Sequence, residues 1–140
     1  MPLGPVPTVF TVLIIEDMKD TADSLAMYLN LVGGFRTVVA YDGEAGVEAA
    51  LRVHPDAVVC DLAMPGKDGL TVAEELNHRM AHRPCLIAVS AFSDPAMRSR
   101  AHAAGFDHYL VKPAHPEDIK RLLQTDRCGS IVSREAGSRA

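Results

Sequence analysis

The feature that most constrains this sequence is an alternation, repeated five times, of short and almost wholly apolar runs with segments whose apolar residues recur at helical spacing. The runs are Val9 to Ile15, Phe35 to Ala40, Ala57 to Cys60, Cys85 to Val89 and Phe106 to Val111. Phe106 to Val111, interrupted by Asp107-His108, is a shorter and weaker run, whereas Val9 to Ile15 is almost all β-branched or apolar and lacks the polar–apolar alternation of a half-exposed strand. Strands buried on both faces read this way.

Between the runs, Ala22, Leu25, Leu29 and Val32 mark the inner face of a first helix, stopped by Gly33-Gly34. Asp42-Gly43 opens a second through Ala45, Ala49, Ala50 and Val53, and Pro55 ends it by disfavouring helical geometry at His54. Leu70, Ala73, Leu76 and Met80 face inward on a third. Asp94-Pro95 supplies an N-cap and a first-turn proline for a fourth, which reaches Gly105. The last runs from His115-Pro116 to Gln124 with Ile119, Leu122 and Leu123 inward. Strands that are continuously apolar and alternate with helices predict a doubly wound α/β domain, a parallel sheet with helices on both faces.

With 140 residues and 48% hydrophobic content, one domain with a real core is expected, spanning residues 9–124. Residues 1–8 are read as a flexible segment, and residues 125–140, which lack sustained periodicity, as a mobile tail. The formal net charge of −4 offers no basic footprint, so nucleic acid and anionic membrane are not expected as partners. No apolar run approaches the ~20 residues of a membrane helix. The stretch Met1 to Pro7 lacks the basic and apolar regions of a signal peptide, and a cytoplasmic location is expected. Three cysteines without CxxC spacing argue against a disulfide framework or a zinc site. Cys60 and Cys85 read as buried core residues and Cys128 as a free thiol in the tail.

In an open parallel sheet, ligands bind beyond the carboxyl ends of the strands. Here the first strand ends in Glu16-Asp17, the third in Asp61, the fourth in Ser90 and the fifth in Lys112-Pro113. Taken singly, acids at strand ends cap helices and serines in turns bond their own backbone. Taken together, four successive strand ends place three carboxylates, a hydroxyl and an ammonium on one rim. Such carboxylates repel one another, and a hard divalent ion relieves that. Magnesium, which uses one or two carboxylates and a substrate phosphate, matches the count. Lys112 would add a point charge for phosphoryl oxygens. Asp61, on the central strand by chain order and followed by a turn-rich loop, is the candidate nucleophile.

Over Val9 to Gln124 the chain resembles the response-regulator receiver family of two-component signalling. The matching segments are Leu-Ile-Ile-Glu-Asp (13–17), Asp-Leu-Ala-Met-Pro-Gly-Lys-Asp-Gly (61–69), Ala-Val-Ser-Ala (88–91) and Gly-Phe-Asp-His-Tyr-Leu-Val-Lys-Pro (105–113). The resemblance implies a flavodoxin-like strand order of 2-1-3-4-5, which the spacing alone does not reveal. It implies that Asp61 is phosphorylated by a histidine phosphodonor, a histidine kinase or histidine phosphotransferase. Asp17 would contact magnesium directly, Glu16 through water, and the Ala63 carbonyl would complete the protein ligands. Ser90 corresponds to the switch hydroxyl, Tyr109 to the switch aromatic and Lys112 to the phosphate-contacting lysine, with a cis bond before Pro113. Glu16 stands where many members have aspartate. The segment from Gly105 to Pro113, followed by His-Pro-Glu-Asp-Ile, looks like receivers attached to hybrid sensor kinases, so a downstream target or a covalently attached kinase is a further expected partner.

Rival readings fit less well. A haloacid-dehalogenase-type phosphatase wants a second aspartate where Ala63 stands, and a flavin binder wants a hydroxyl- and glycine-rich loop where Glu16-Asp17 would repel a phosphate. A degenerate receiver used only as a protein-binding module is the alternative from another class. The intact set Asp17, Asp61, Ser90 and Lys112 argues against it. His78 and His82 have metal-capable spacing but no third ligand, and read as solvent-exposed at a helix end.

Overall fold

The structure, a computed structural model, describes residues 9–125. Five strands, β1 (Thr11–Ile15), β2 (Arg36–Ala40), β3 (Ala57–Asp61), β4 (Cys85–Ser90) and β5 (His108–Val111), alternate with five helices. The helices are α1 (Lys19–Leu31), α2 (Gly43–Val53), α3 (Gly69–Arg79), α4 (Pro95–Ala104) and α5 (Pro116–Leu123). All strand pairs are parallel, in the order β2-β1-β3-β4-β5. This is the doubly wound, flavodoxin-like arrangement. Two of the expectations lie wholly or largely outside the described residues: the flexibility of 1–8 and the mobile tail with Cys128.

The sheet divides two cores by the alternation of strand side chains. Leu13 and Ile15 of β1, Val58 and Cys60 of β3, and Leu86 and Ala88 of β4 pack with Val47 of α2, Leu76 of α3 and Ala101 of α4. Their neighbours Val12, Ile14, Ala57, Val59 and Ile87 face the other way, onto Ala22 and Leu29 of α1 and Ile119 and Leu123 of α5. β1, β3 and β4 are buried throughout, which is why they read as unbroken apolar runs. β2 and β5 are edge strands and only partly buried.

Local chemistry sets the boundaries. Asp42 caps α2 by accepting from the Ala45 amide (2.7 Å), Asp68 caps α3 through Thr71 (2.9 Å), and Asp94 caps α4 through Met97 (3.2 Å) with Pro95 in the first turn. α2 stops at His54, a non-glycine residue in left-handed conformation (φ 53°), just before Pro55. The packing also corrects some inward faces and strand starts. Val32 lies past the end of α1 and is exposed, and Val9 precedes β1 at 56% exposure. Phe106 is buried ahead of β5 rather than within it. Met80 is buried from the C-cap position of α3. Cys60 is a free, buried thiol. Cys85 is buried as expected but disulfide-bonded, which corrects the expectation of a chain without disulfides. Among the described residues, no helix is long and apolar enough to cross a membrane.

Candidate functional site

Because every strand runs the same way, the residues that follow each strand collect on one edge of the sheet. Asp61 is the last residue of β3, and the next amide, Leu62, donates to Val89 of β4 (3.1 Å). Ser90 ends β4, and its carbonyl accepts from the Lys112 amide directly after β5 (2.7 Å). Glu16 follows β1, tied through its amide to the Ala40 carbonyl of β2 (3.1 Å). The sheet hydrogen bonds thus hold the backbones of the candidate residues in fixed register before any side chain is considered.

The side chains close the arrangement. The Lys112 ammonium reaches back across the sheet to Asp61 Oδ2 (2.9 Å) and Glu16 Oε1 (3.3 Å). The other oxygen of each acid accepts a backbone N–H: Asp61 Oδ1 from Ala63 (3.1 Å) and Glu16 Oε2 from Met18 (3.0 Å). Both acids are nearly buried, Glu16 at 6% and Asp61 at 5% exposure, whereas Asp17 is exposed. Gly69 lets α3 close on this site, since a Cβ there would lie 2.5 Å from the Asp61 carbonyl oxygen. The Lys112–Pro113 bond is cis.

Burial, and then the charge of Asp61, push the Glu16 carboxyl above its usual range, outweighing the Met18 amide and the Lys112 charge that pull it down. Burial works against the Lys112 ammonium. The hydrogen bond and charge of Asp61, joined by Glu16, outweigh that and raise it. The thiol of Cys60, beside Asp61 in the chain, is pushed far up by burial and then by the Asp61 charge. It therefore stays protonated and does not compete as a nucleophile.

Oxygen atoms of Glu16, Asp17 and Asp61 lie within 4.8 Å of one another. Three carboxylate oxygens this close form a hard donor set that suits magnesium.

Ser90 is completely buried, and its Oγ accepts from the Phe92 amide (3.0 Å). The Tyr109 hydroxyl donates to the Phe92 carbonyl (2.6 Å), and the Arg98 guanidinium lies 4.8 Å from the Tyr109 ring centre. Ser90 and Tyr109 are thus joined through the backbone of Phe92. Phe92 and Gly69 were not singled out from the sequence. Gly69 had a signal, the Asp-Gly turn pair, whereas Phe92 had only its position in the loop after Ser90. His78 and His82 form no metal cluster among the described residues.

A cleft of about 690 Å³ opens beside the carboxylates, between α1 and the segment leading into α5. Apart from Glu16, Asp61 and Lys112, its walls are largely apolar, including Met18, Leu25, Pro113 and Ile119.

A model of the response regulator receiver domain matches residues 12–124. The nitrate/nitrite response regulator protein NarL of Escherichia coli K12 is 30% identical over 128 residues, covering 90% of this chain and 58% of that protein. The transcriptional regulatory protein PrrA of Mycobacterium bovis is 37% identical over 102 residues, covering 73% and 43% respectively. The chain spans about half the length of the curated relatives it matches. Among solved structures, the signal receiver domain of NarL from Mycobacterium tuberculosis superposes with a TM-score of 0.80 at 26% identity, covering 88% of this chain and 98% of that one. A receiver domain protein from Methanospirillum hungatei, 19% identical and covering 91% of this chain and 99% of its own, shares the fold with a TM-score of 0.81. With its sheet order, its acidic rim and a family model spanning nearly all of the described domain, this chain belongs to the response regulator receiver domain family.

Proposed function

We propose that this domain accepts a phosphoryl group on Asp61 from the phosphohistidine of a histidine kinase or histidine phosphotransferase. The observation that carries the reading is the environment of Asp61. Its carboxylate is nearly buried yet lines the open cleft, one oxygen on the Ala63 amide and the other on Lys112, with the oxygens of Glu16 and Asp17 close by. A carboxylate oxygen of Asp61 forms the new P–O bond as the P–N bond of the donor breaks, and the departing imidazole retains the electron pair and takes up a proton. Lys112 and the Ala63 amide hold the carboxylate, and Lys112 offers positive charge to the phosphoryl oxygens.

Magnesium, held by Asp17, Asp61 and the Ala63 carbonyl with Glu16 acting through water, would supply charge neutralisation for the incoming dianion. The acyl phosphate is a mixed anhydride, and the small side chain of Ala63 leaves room for a water to hydrolyse it. In switching, Ser90 gives up the Phe92 amide for the phosphoryl oxygens, and Tyr109 turns toward the space that Ser90 leaves. The bond from Tyr109 to Phe92 supports this coupling, because the amide and the carbonyl of one residue are held by the two switch residues.

The similar proteins include a transcriptional regulatory protein, of which this chain covers 43%, and a DNA-binding response regulator of the LuxR family from Staphylococcus aureus. The reading without nucleic acid or membrane partners therefore concerns this domain's own surface, and a cytoplasmic setting belongs to the same proposal. The output partner is a downstream protein or an attached kinase.

The test needs no kinase. With magnesium and acetyl phosphate, intact mass rises by one phosphoryl group. Asp61→Asn abolishes the gain, because an amide is a poor nucleophile, and chelating the metal also abolishes it. Lys112→Ala slows it or uncouples it from switching. If the wild-type chain gains no mass under conditions that label another receiver, the domain is a degenerate binding module instead.

A further inference from the structure

A second, smaller cleft of about 440 Å³ lies between the loop that follows β3 and helix α4. Leu62, Leu70, Phe92 and Met97 form its apolar walls, and Asp68 and Arg100 stand among the lining. Phe92 is 49% exposed, a large aromatic surface left in water beside a hollow. The charge on this side runs against the net −4 of the chain. α4 contains Arg98 and Arg100 and no acidic residue. Arg79, Arg83 and Arg121 each pair with a carboxylate, whereas Arg100 pairs with none among the described residues. The carboxylate of Asp68 is occupied in capping α3, where the partial positive charge of the helix start offsets it. Arg100 is therefore a cation beside an apolar hollow with no acid of its own to neutralise it.

We propose that this cleft docks an acidic segment of a protein partner, anchored by apolar side chains against Phe92 and Met97 with a carboxylate on Arg100. Aromatic residues, methionine and arginine are the types enriched at the centres of protein interfaces. A nucleic acid would meet an acidic domain with only two cations on this helix. The inference concerns a surface on α4 and the β3–α3 loop and does not depend on phosphoryl transfer to Asp61.

The probe is the fluorescein-labelled peptide acetyl-Glu-Leu-Glu-Glu-Leu-Phe-Glu-Glu-amide, titrated with the full chain and followed by anisotropy. Saturable binding is expected, weakened roughly tenfold or more by Arg100→Glu and by Phe92→Ser, as for residues at an interface centre. Arg52→Glu, the same charge change at an exposed position on α2, should alter it by less than about twofold, the scale of a rim charge. The analogue with lysine in place of every glutamate should not bind. Circular dichroism establishes that each variant is folded, which the three exposed sites permit. Absence of saturable binding, equal binding of the lysine analogue, or equal loss in Arg100→Glu and Arg52→Glu would overturn the proposal.

Discussion

Removing the Lys112 ammonium tests how the rim is held together. The charge lies 2.9 Å from Asp61 and 3.3 Å from Glu16. At the shorter distance Coulomb attraction is about 1.4 kcal/mol in bulk water and about 6 kcal/mol at an effective dielectric of ~20. The lysine side chain is 31% exposed and the carboxylates nearly buried, so the pair sits between these limits, and desolvating the ammonium takes back part of the gain. Lys112→Ala should therefore destabilise the metal-free domain by roughly 1–3 kcal/mol at pH 7. The pH dependence follows from Glu16, an acid whose folded value already lies above its ordinary 4.5 through burial and then the Asp61 charge. An acid raised in the folded state costs nothing below its unfolded value, and the cost grows as pH rises from the unfolded to the folded value and is constant above it. Losing Lys112 raises Glu16 further, so the cost of the mutation should grow upward from about pH 4.5 and vanish below it. Urea unfolding of wild type and variant in chelator, at a series of pH values, measures this difference. A loss of the same size at pH 4 and pH 7 would refute the electrostatic account and leave packing of the lysine stem as the cause.

Other expected outcomes are independent of the site. His54→Gly should stabilise by about 0.5–1 kcal/mol in the same unfolding assay, because glycine adopts the left-handed C-cap geometry without a Cβ penalty. Gly46→Ala should lower stability by roughly 1–3 kcal/mol, since the added Cβ would lie 2.5 Å from Ile15 Cδ1, and the melting temperature reports it. Asp94→Ala should cost about 1 kcal/mol by removing the cap of α4, with the loss of amide exchange protection concentrated in its first turn.

The sequence by itself determined the order of elements, because burial on both faces removes polar residues from β1, β3 and β4 and leaves an unmistakable run. It also located the candidate residues, since a parallel sheet must bring every strand's carboxyl end to one rim. Asp42, Asp68 and Asp94 stand at helix starts where their carboxylates satisfy amides that would otherwise lack partners, so those starts are local chemistry. Contacts between segments distant in the chain were decided only in three dimensions. Whether Val32 would turn inward or outward depended on where α1 ended against the sheet, and Val9 fell outside β1 because Arg36, which opens β2, pairs with Thr11. The reach of Lys112, which follows β5, past β4 to both Asp61 on β3 and Glu16 after β1 required four adjacent strand ends in register. The link between Ser90 and Tyr109 passes through the backbone of Phe92, and a peptide group carries no side-chain signature. Periodicity encodes which face of an element is buried, but the partner that buries it is chosen by tertiary packing.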